Sequence, residues 1–285
     1  MASRVDAYRS ELRRLKEWEP YLKKHSGLPG PRANLELVAA VAEEADADRL
    51  WRLSASQDEF LALCGTAGLG RVALMEPDTV MSWLHELAED QRWRVREGVA
   101  MALQRIGKED MPRLIADMKV WSRDGAFVQR AVVAGLCEPA LLNGNAETVE
   151  VLAILDHITR SVAATGDRKH DGFRVLRQAL GYGWSVAAAA APQNARPYLE
   201  KWLRSRDSDV AWVMQSNLRK SRMESLRKTL AAKPQPKPQP KAKSTPTPKA
   251  KAAKPARRSR SGSGAASKPA AARGSRSSGR ARRAR

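Results

Sequence analysis

The last 55 residues of the chain, 231–285, lack acidic side chains and any apolar side chain larger than alanine or proline. They contain 17 lysines and arginines, and because the whole chain has a formal net charge of +20, residues 1–230 carry only +3. A segment that buries so little apolar surface cannot offset the entropy lost on ordering. We therefore predict one domain over residues 1–230, followed by a disordered tail rich in Lys, Arg, Ala and Pro.

The scarcity of cysteine and histidine, and the lack of a phosphate-binding loop, exclude several classes of site. The two cysteines, Cys64 and Cys137, lie far apart in apolar helical stretches, and the four histidines have no metal-ligand spacing. Neither a disulfide framework nor a metal centre is predicted, and the cysteines are expected to be buried thiols. No glycine-rich loop ends in Gly-Lys-Ser or Gly-Lys-Thr, which excludes a P-loop. We expect no metal and no cofactor.

Membrane-directed segments are also missing. No run of apolar residues approaches the roughly 18 that a membrane-spanning helix needs. Residues 1–10 are charged throughout and lack the apolar segment of a secretion signal. These absences predict a cytoplasmic protein without a membrane partner.

Residues 1–230 do contain apolar side chains at helical spacing, without the alternation typical of strands. Leu61, Val95 and Val128 take equivalent places in three apolar stripes, 34 and 33 residues apart. That period matches one helix pair of an α-solenoid, and the 85 residues from Val128 to Val213 leave room for two further pairs. The pattern predicts an all-α body, a solenoid of about five helix pairs. A single irregular helical bundle is the alternative.

Asp90, Asp124 and Asp209 each stand three residues before an aromatic side chain near the start of such a helix. A carboxylate at the N-cap accepts hydrogen bonds from unpaired backbone N–H groups and is favoured by the helix dipole. We expect each of these aspartates to cap its helix.

Basic residues recur on the second helices of the pairs, where a solenoid would expose them along its concave face. Acidic residues gather elsewhere, at 43–46 and 86–90. A cationic groove of this kind fits a phosphate backbone, whereas ordinary solvated helix positions are the alternative interpretation. The candidate nucleic-acid-binding residues of the body are Arg92, Arg96, Arg130, Arg174, Arg177, Arg219, Lys220 and Arg222.

The tail is a second candidate interface for nucleic acid. Its run from Lys249 to Arg258, Lys-Ala-Lys-Ala-Ala-Lys-Pro-Ala-Arg-Arg, resembles the tails of linker histones and of actinobacterial nucleoid proteins. Flexible cations bind phosphates without reading base sequence, and the lack of aromatic or aliphatic anchors disfavours a bilayer. A solubilising extension without a ligand is the alternative. The candidate tail residues are Lys249, Lys251, Lys254, Arg257, Arg258, Arg260, Arg282, Arg283 and Arg285.

Two segments of the body carry a family resemblance. Residues 94–103 resemble the HEAT-repeat consensus for the second helix of a pair. Trp93 four residues before Glu97, together with residues 127–133, resembles the bacterial HEAT-repeat family of DNA alkylation repair, which includes alkylpurine DNA glycosylases and non-catalytic relatives. The resemblance implies a HEAT-like solenoid, with Glu97 and Trp93 as catalytic candidates and Arg130 beside Glu97 on the next inner helix. The family's active members have Asp where this chain has Glu97.

The chemistry that the resemblance implies is stabilisation of a cationic alkylated base, by the face of an aromatic ring and by a carboxylate. Together with the charge pattern, it predicts a DNA-binding HEAT-repeat protein associated with the nucleoid. Its groove and tail would contact the backbone of duplex DNA, with RNA as the other polyanion, and the function would be linked to alkylation damage. Two alternatives stay open: an interaction scaffold that holds a protein partner on the concave face and is localised by its tail, and an alkylpurine DNA glycosylase.

Overall fold

The computed structural model describes residues 3–143 and 146–231, and the predicted tail beyond Ala231, with all of its candidate residues, lies outside them. The chain divides into a unit of Met1–Pro234 and a unit of Gln235–Arg285. Among the described residues every regular element is helical, which confirms the predicted all-α body. None of these helices is both long and apolar enough to cross a membrane.

Fourteen α-helices and one short 3-10 helix, η1, make up the regular structure of the described residues. They are α1 (Arg4–Arg14), α2 (Glu19–Lys24), α3 (Leu35–Glu44), α4 (Ala47–Ser54), α5 (Glu59–Val72), α6 (Pro77–Leu87), α7 (Trp93–Glu109), α8 (Met111–Trp121), α9 (Ala126–Leu136), α10 (Ala146–Ala164), α11 (Asp171–Ala190), α12 (Pro192–Leu203), α13 (Ser208–Leu218), η1 (Ser221–Met223) and α14 (Glu224–Ala231).

The predicted aspartate caps are wrong at all three helices. The N-cap of α7 is Arg92, whose backbone N–H donates to Asp90 Oδ1 at 2.7 Å, so Asp90 closes a turn ahead of the helix. Helix α9 begins two residues after Asp124 without a side-chain cap. Helix α13 is capped by Asp207, which accepts from the backbone N–H of Asp209 at 3.0 Å. The aromatic residue is the first residue of α7, the second of α9 and the fifth of α13, so its position does not fix where each helix begins.

Alternate helices pack side by side in chain order. Contacts run from α5 to α7, from α7 to α9, from α9 to α11 and from α11 to α13, and a second series joins α8, α10, α12 and α14. The equivalent residues Leu61, Val95, Val128 and Val213 lie in α5, α7, α9 and α13, and all four are buried. The helices that share the apolar stripe therefore form one row, with α11 between α9 and α13.

Glycines bring neighbouring helices of this row close together. A Cβ added to Gly98 of α7 would lie 3.0 Å from Thr66 Cβ of α5. A Cβ added to Gly135 of α9 would lie 2.8 Å from Leu103 Cβ of α7. Side chains at these positions would push the helices apart, at a typical cost of about 1–3 kcal/mol. The spacing of the row, and of any surface that crosses it, depends on these small residues.

The two cysteines are free and buried, as the sequence predicts. Burial raises the pKa of the Cys137 thiol to about 12 and raises that of Cys64 as well. A thiol is a weak nucleophile while it stays protonated. Cys64 and Cys137 therefore act as small apolar side chains of the core.

Candidate nucleic-acid interface

A groove with a volume of about 770 Å³ lies across α7, α9 and α11. The three helices contribute small or flexible apolar residues to its lining: Ala100, Met101, Val133, Ala134, Val175 and Ala179. Arg96, Arg130 and Arg174 add guanidinium groups, and Trp93 and Tyr182 add exposed rings. The groove therefore joins an apolar lining to cationic and aromatic groups, a composition common to ligand sites.

The residues that the family resemblance implies as a catalytic site share this groove. Trp93, Glu97 and Arg130 all line it. Glu97 accepts a hydrogen bond from Arg94 Nη1 at 2.9 Å, so its ion-pair partner is one turn away on α7. The Arg94 guanidinium also lies 4.0 Å from the centre of the Trp93 ring. Arg94, which was not among the sequence candidates, holds both residues and compensates the charge of Glu97.

Arg130 lies mostly buried on the α9 side of the groove. Its Nη1 donates to the carbonyl oxygen of Arg96 at 2.7 Å, which joins α9 to α7. Burial lowers the pKa of Arg130, the charge of Arg96 lowers it further, and Glu97 opposes both effects. Among the described residues Arg130 has no carboxylate within ion-pair distance. Because an arginine stays protonated at neutral pH and carries five N–H donors, this guanidinium retains donors for an anion.

Arg96 is engaged with the protein itself. Its Nη1 donates to the backbone carbonyl of Asp90 and, at 3.1 Å, to that of Gln91. Its guanidinium lies 4.7 Å from the centre of the Phe127 ring, and burial lowers its pKa. Arg96 therefore ties the start of α7 to the start of α9.

Arg92 is also fully occupied. Its Nη2 lies 2.6 Å from Asp90 Oδ2, and its Nη1 donates to the carbonyl of Ser56 at 2.7 Å. The hydrogen bond to Asp90 raises the pKa of Arg92. These contacts hold the turn before α7 against the turn before α5, and the side chain has a structural role.

On α11 the two candidate arginines differ. Arg177 Nε lies 2.7 Å from Asp209 Oδ1, and its guanidinium stacks 3.7 Å from the centre of the Trp212 ring. Within the described part of the chain Arg174 pairs only with Asp171, at 3.0 Å, and both side chains are exposed. Exposed ion pairs of this kind contribute little because water screens them. Arg174 is therefore available to a ligand, whereas Arg177 joins α11 to α13.

A third group of cations lies where α13 ends. Arg219, Lys220 and Arg222 are exposed, and the last two gather around Tyr182 of α11. Lys220 Nζ lies 5.9 Å and Arg222 Cζ 5.0 Å from the centre of the Tyr182 ring, and Arg222 Nη2 donates to Tyr182 Oη at 3.3 Å. Since Tyr182 also lines the groove, these cations extend the cationic surface from its α11 end.

The three arginines that line the groove, Arg96, Arg130 and Arg174, were all among the sequence candidates. Arg94, beside Glu97, and the aromatic Tyr182 were not. The spacing of Arg94 and Glu97, three residues apart on one helix, was a readable signal for their pairing. No comparable signal links Tyr182 to the cations at the end of α13, because the contact joins different helices. A comparison with protein-family models found no match for the chain, and a comparison with curated proteins found none either.

Proposed function

We propose that this protein binds nucleic acid, with duplex DNA as the main ligand, as a HEAT-like α-solenoid that carries a cationic tail. The observation that carries the proposal is the uneven distribution of charge. Seventeen basic residues and no acidic ones fall in residues 231–285, whereas residues 1–230 are nearly balanced. Such a segment attracts polyanions by releasing their counterions, irrespective of base sequence.

The solenoid interpretation rests on the order of helix contacts. In a solenoid each repeat contacts its neighbours along the chain, and α5, α7, α9, α11 and α13 contact one another in that sequence. Buried Asn217 supports the last step of the row. Its Nδ2 donates to the carbonyl of Leu180 at 2.8 Å, and its Oδ1 accepts from the backbone N–H of Ser185 at 2.7 Å. This side chain joins α13 to α11 at the end of the row.

The body supplies fewer contacts than its arginine content indicates. Arg92, Arg96 and Arg177 are engaged with carboxylates, carbonyls and rings of the protein. Arg174, Lys220 and Arg222 are exposed on or beside the groove, and Arg219 is exposed near them. We therefore expect the tail to provide most of the affinity. The four exposed cations of the body are expected to orient the protein on the duplex.

The test is the salt dependence of duplex binding by the full chain, compared with a variant in which all 17 tail lysines and arginines are replaced by glutamine. If about eight tail cations meet phosphates, log K falls against log salt with a slope of about −7, which is a loss of about 10⁴ in affinity between 50 and 200 mM salt. The variant is expected to have a clearly shallower slope, since each lost phosphate contact removes about 0.9.

The matched control is a tail of the same composition in shuffled order. It should bind with the wild-type slope, because phosphate contacts carry no sequence information. Equal slopes for the wild type and the glutamine variant would contradict the proposal.

Excision of alkylated purines is a second candidate function, because Trp93, Glu97 and Arg130 line the same groove. In this role Glu97 would have to act on the base while Arg94 holds it at 2.9 Å. The test is release of methylated purine from a methylated duplex. A catalytic Glu97 predicts release by the wild type and a loss of about 10²-fold or more in Glu97→Gln, the size typical of a lost electrostatic stabiliser. Absence of released base from the wild type would exclude this function.

A further inference from the structure

The groove across α7, α9 and α11 has an exposed ring at each end. Trp93, at the start of α7, is 49% exposed, and Tyr182, in the middle of α11, is 40% exposed. The rings are two helices apart, and neighbouring helices pack at roughly 8–10 Å. The groove between them, about 770 Å³, falls within the roughly 300–1,000 Å³ of sites that enclose small molecules. A rigid duplex would rest on the rim of such a groove, whereas flexible groups can enter it.

The groove side of the Trp93 ring is open. Trp93 also lines a second cavity, of about 440 Å³, beside the loop that precedes α3. Arg94, whose guanidinium covers the ring at 4.0 Å, lines this second cavity and not the groove. The cation that covers one face of Trp93 therefore leaves the groove side free to stack on a planar group.

At the other end, Tyr182 combines a ring with phosphate-binding chemistry. Arg222 and Lys220 lie within 5.0 Å and 5.9 Å of the ring centre. A ring with neighbouring cations offers a stacking surface for a base and a charge for the phosphate attached to it. The same pairing of ring and cation recurs in proteins that bind single strands without sequence preference.

Between the rings the groove offers cations in excess of free carboxylates. Arg130 has unused donors, and among residues 3–143 and 146–231 the one ion-pair partner of Arg174 is the exposed Asp171. Two carboxylates, Glu97 and Glu138, also line the groove. Glu97 is compensated by Arg94, which leaves Glu138 as an acceptor for the amino groups of bases. This arrangement suits a strand whose phosphates and unpaired bases are both accessible.

We propose that the groove binds an unpaired segment of nucleic acid, with bases stacked on Trp93 and Tyr182 and phosphates on Arg130 and Arg174. The inference deepens the proposed nucleic-acid binding and rests on it. It assigns the two surfaces different ligands: the tail holds phosphates of any strand, and the groove selects a single strand.

The experiment measures binding of the full chain to a fluorescein-labelled single strand of about ten nucleotides and to the duplex of the same sequence. A salt concentration of about 200 mM weakens the contribution of the tail. The variants are Trp93→Ala and Tyr182→Ala. Trp212→Ala is the matched control, because Trp212 is an exposed ring of the same row of helices that does not line the groove.

Trp93→Ala and Tyr182→Ala should each weaken single-strand binding at least about fivefold, the lower limit for a lost base stack. Duplex binding by these two variants should stay at the wild-type value. Trp212→Ala, which loses the stacking on Arg177, should keep wild-type single-strand binding. Trp93→Phe, which keeps a ring, should recover most of the affinity.

Two results would overturn the inference. The first is that both alanine variants bind the single strand with wild-type affinity, while the wild type binds both probes in a salt-dependent way. This result would refute the groove site but not the proposal for the tail. Absence of binding to either probe even at low salt would refute both proposals together.

Discussion

Arginines at the beginning of α7 and basic residues at the end of α13 differ in how many of their hydrogen-bond donors the protein itself uses. Arg92 donates hydrogen bonds to the Asp90 carboxylate, and Arg96 donates to two backbone carbonyls and is buried. Lys220 and Arg222 are exposed, and among the described residues their side chains have polar or ring contacts only with Tyr182. A basic residue in the sequence is therefore a cation that is available for binding only where the fold leaves its donors unused.

The largest effect in this comparison is expected from Arg96→Met. The substitution keeps the length of the side chain but removes the hydrogen bonds to two carbonyls and the stacking on Phe127. The free energy of unfolding should fall by about 2–3 kcal/mol, since hydrogen bonds of a charged donor contribute about 1.5–3 kcal/mol. Urea unfolding measures this loss. Duplex affinity should change little, and a weakened affinity at wild-type stability would show that Arg96 contacts the ligand instead.

Arg222→Gln should produce the reverse pattern. Losing one phosphate contact reduces the salt slope by about 0.9 and the affinity at 100 mM salt by up to about eightfold. The free energy of unfolding should stay within about 0.5 kcal/mol of wild type, as is usual for exposed positions. Fluorescence anisotropy with a labelled duplex measures the affinity, with Arg14→Gln, an exposed arginine of α1, as the control. If both variants bind alike, the end of α13 is not part of the interface.

The smallest expected effect is a change in the pH dependence of stability. It tests a carboxylate, Glu44, that binds two arginines of the body. Hydrogen bonds from Arg13 and Arg9 hold the pKa of Glu44 at about 2, against an ordinary value of 4.5. A depressed pKa in the folded state contributes stability above pH 4.5, and this contribution is lost as the pH falls towards 2. Because Arg13 is exposed, the contribution is about 1 kcal/mol or less. Urea unfolding of Glu44→Gln should show a correspondingly flatter dependence on pH in this range, and an unchanged dependence would contradict it.

The repeat spacing and the helix caps show how far local sequence patterns reach. The stripe through Leu61, Val95 and Val128 predicted which helices share a face, because helical periodicity is a property of neighbouring residues. The starting residue of each helix was not predictable in the same way. Asp90 competes for the backbone N–H of Arg92 in a turn of its own, and such local alternatives differ too little in free energy for a spacing rule to decide.

The candidate site divides along the same line. The spacing of Trp93 and Glu97 placed both on one side of a helix, and Arg130 lines the same groove from the next helix in the row. The partner of Glu97, however, is Arg94 of its own helix rather than Arg130 of the neighbour. Which of two nearby cations pairs with a carboxylate depends on side-chain geometry at the scale of one ångström, which no residue pattern records.

From the order of amino acids alone follow the all-helical body, the equivalence of its repeating helices and the concentration of positive charge in residues 231–285. These are properties of composition and of local periodicity, and they need no knowledge of distant contacts. Only the three-dimensional arrangement decides that Arg92, Arg96 and Arg177 bind groups within the protein. Arg174 and Arg222, by contrast, keep donors exposed to solvent. The reason is that the free donors of a side chain depend on what the packing of other helices brings within hydrogen-bond distance.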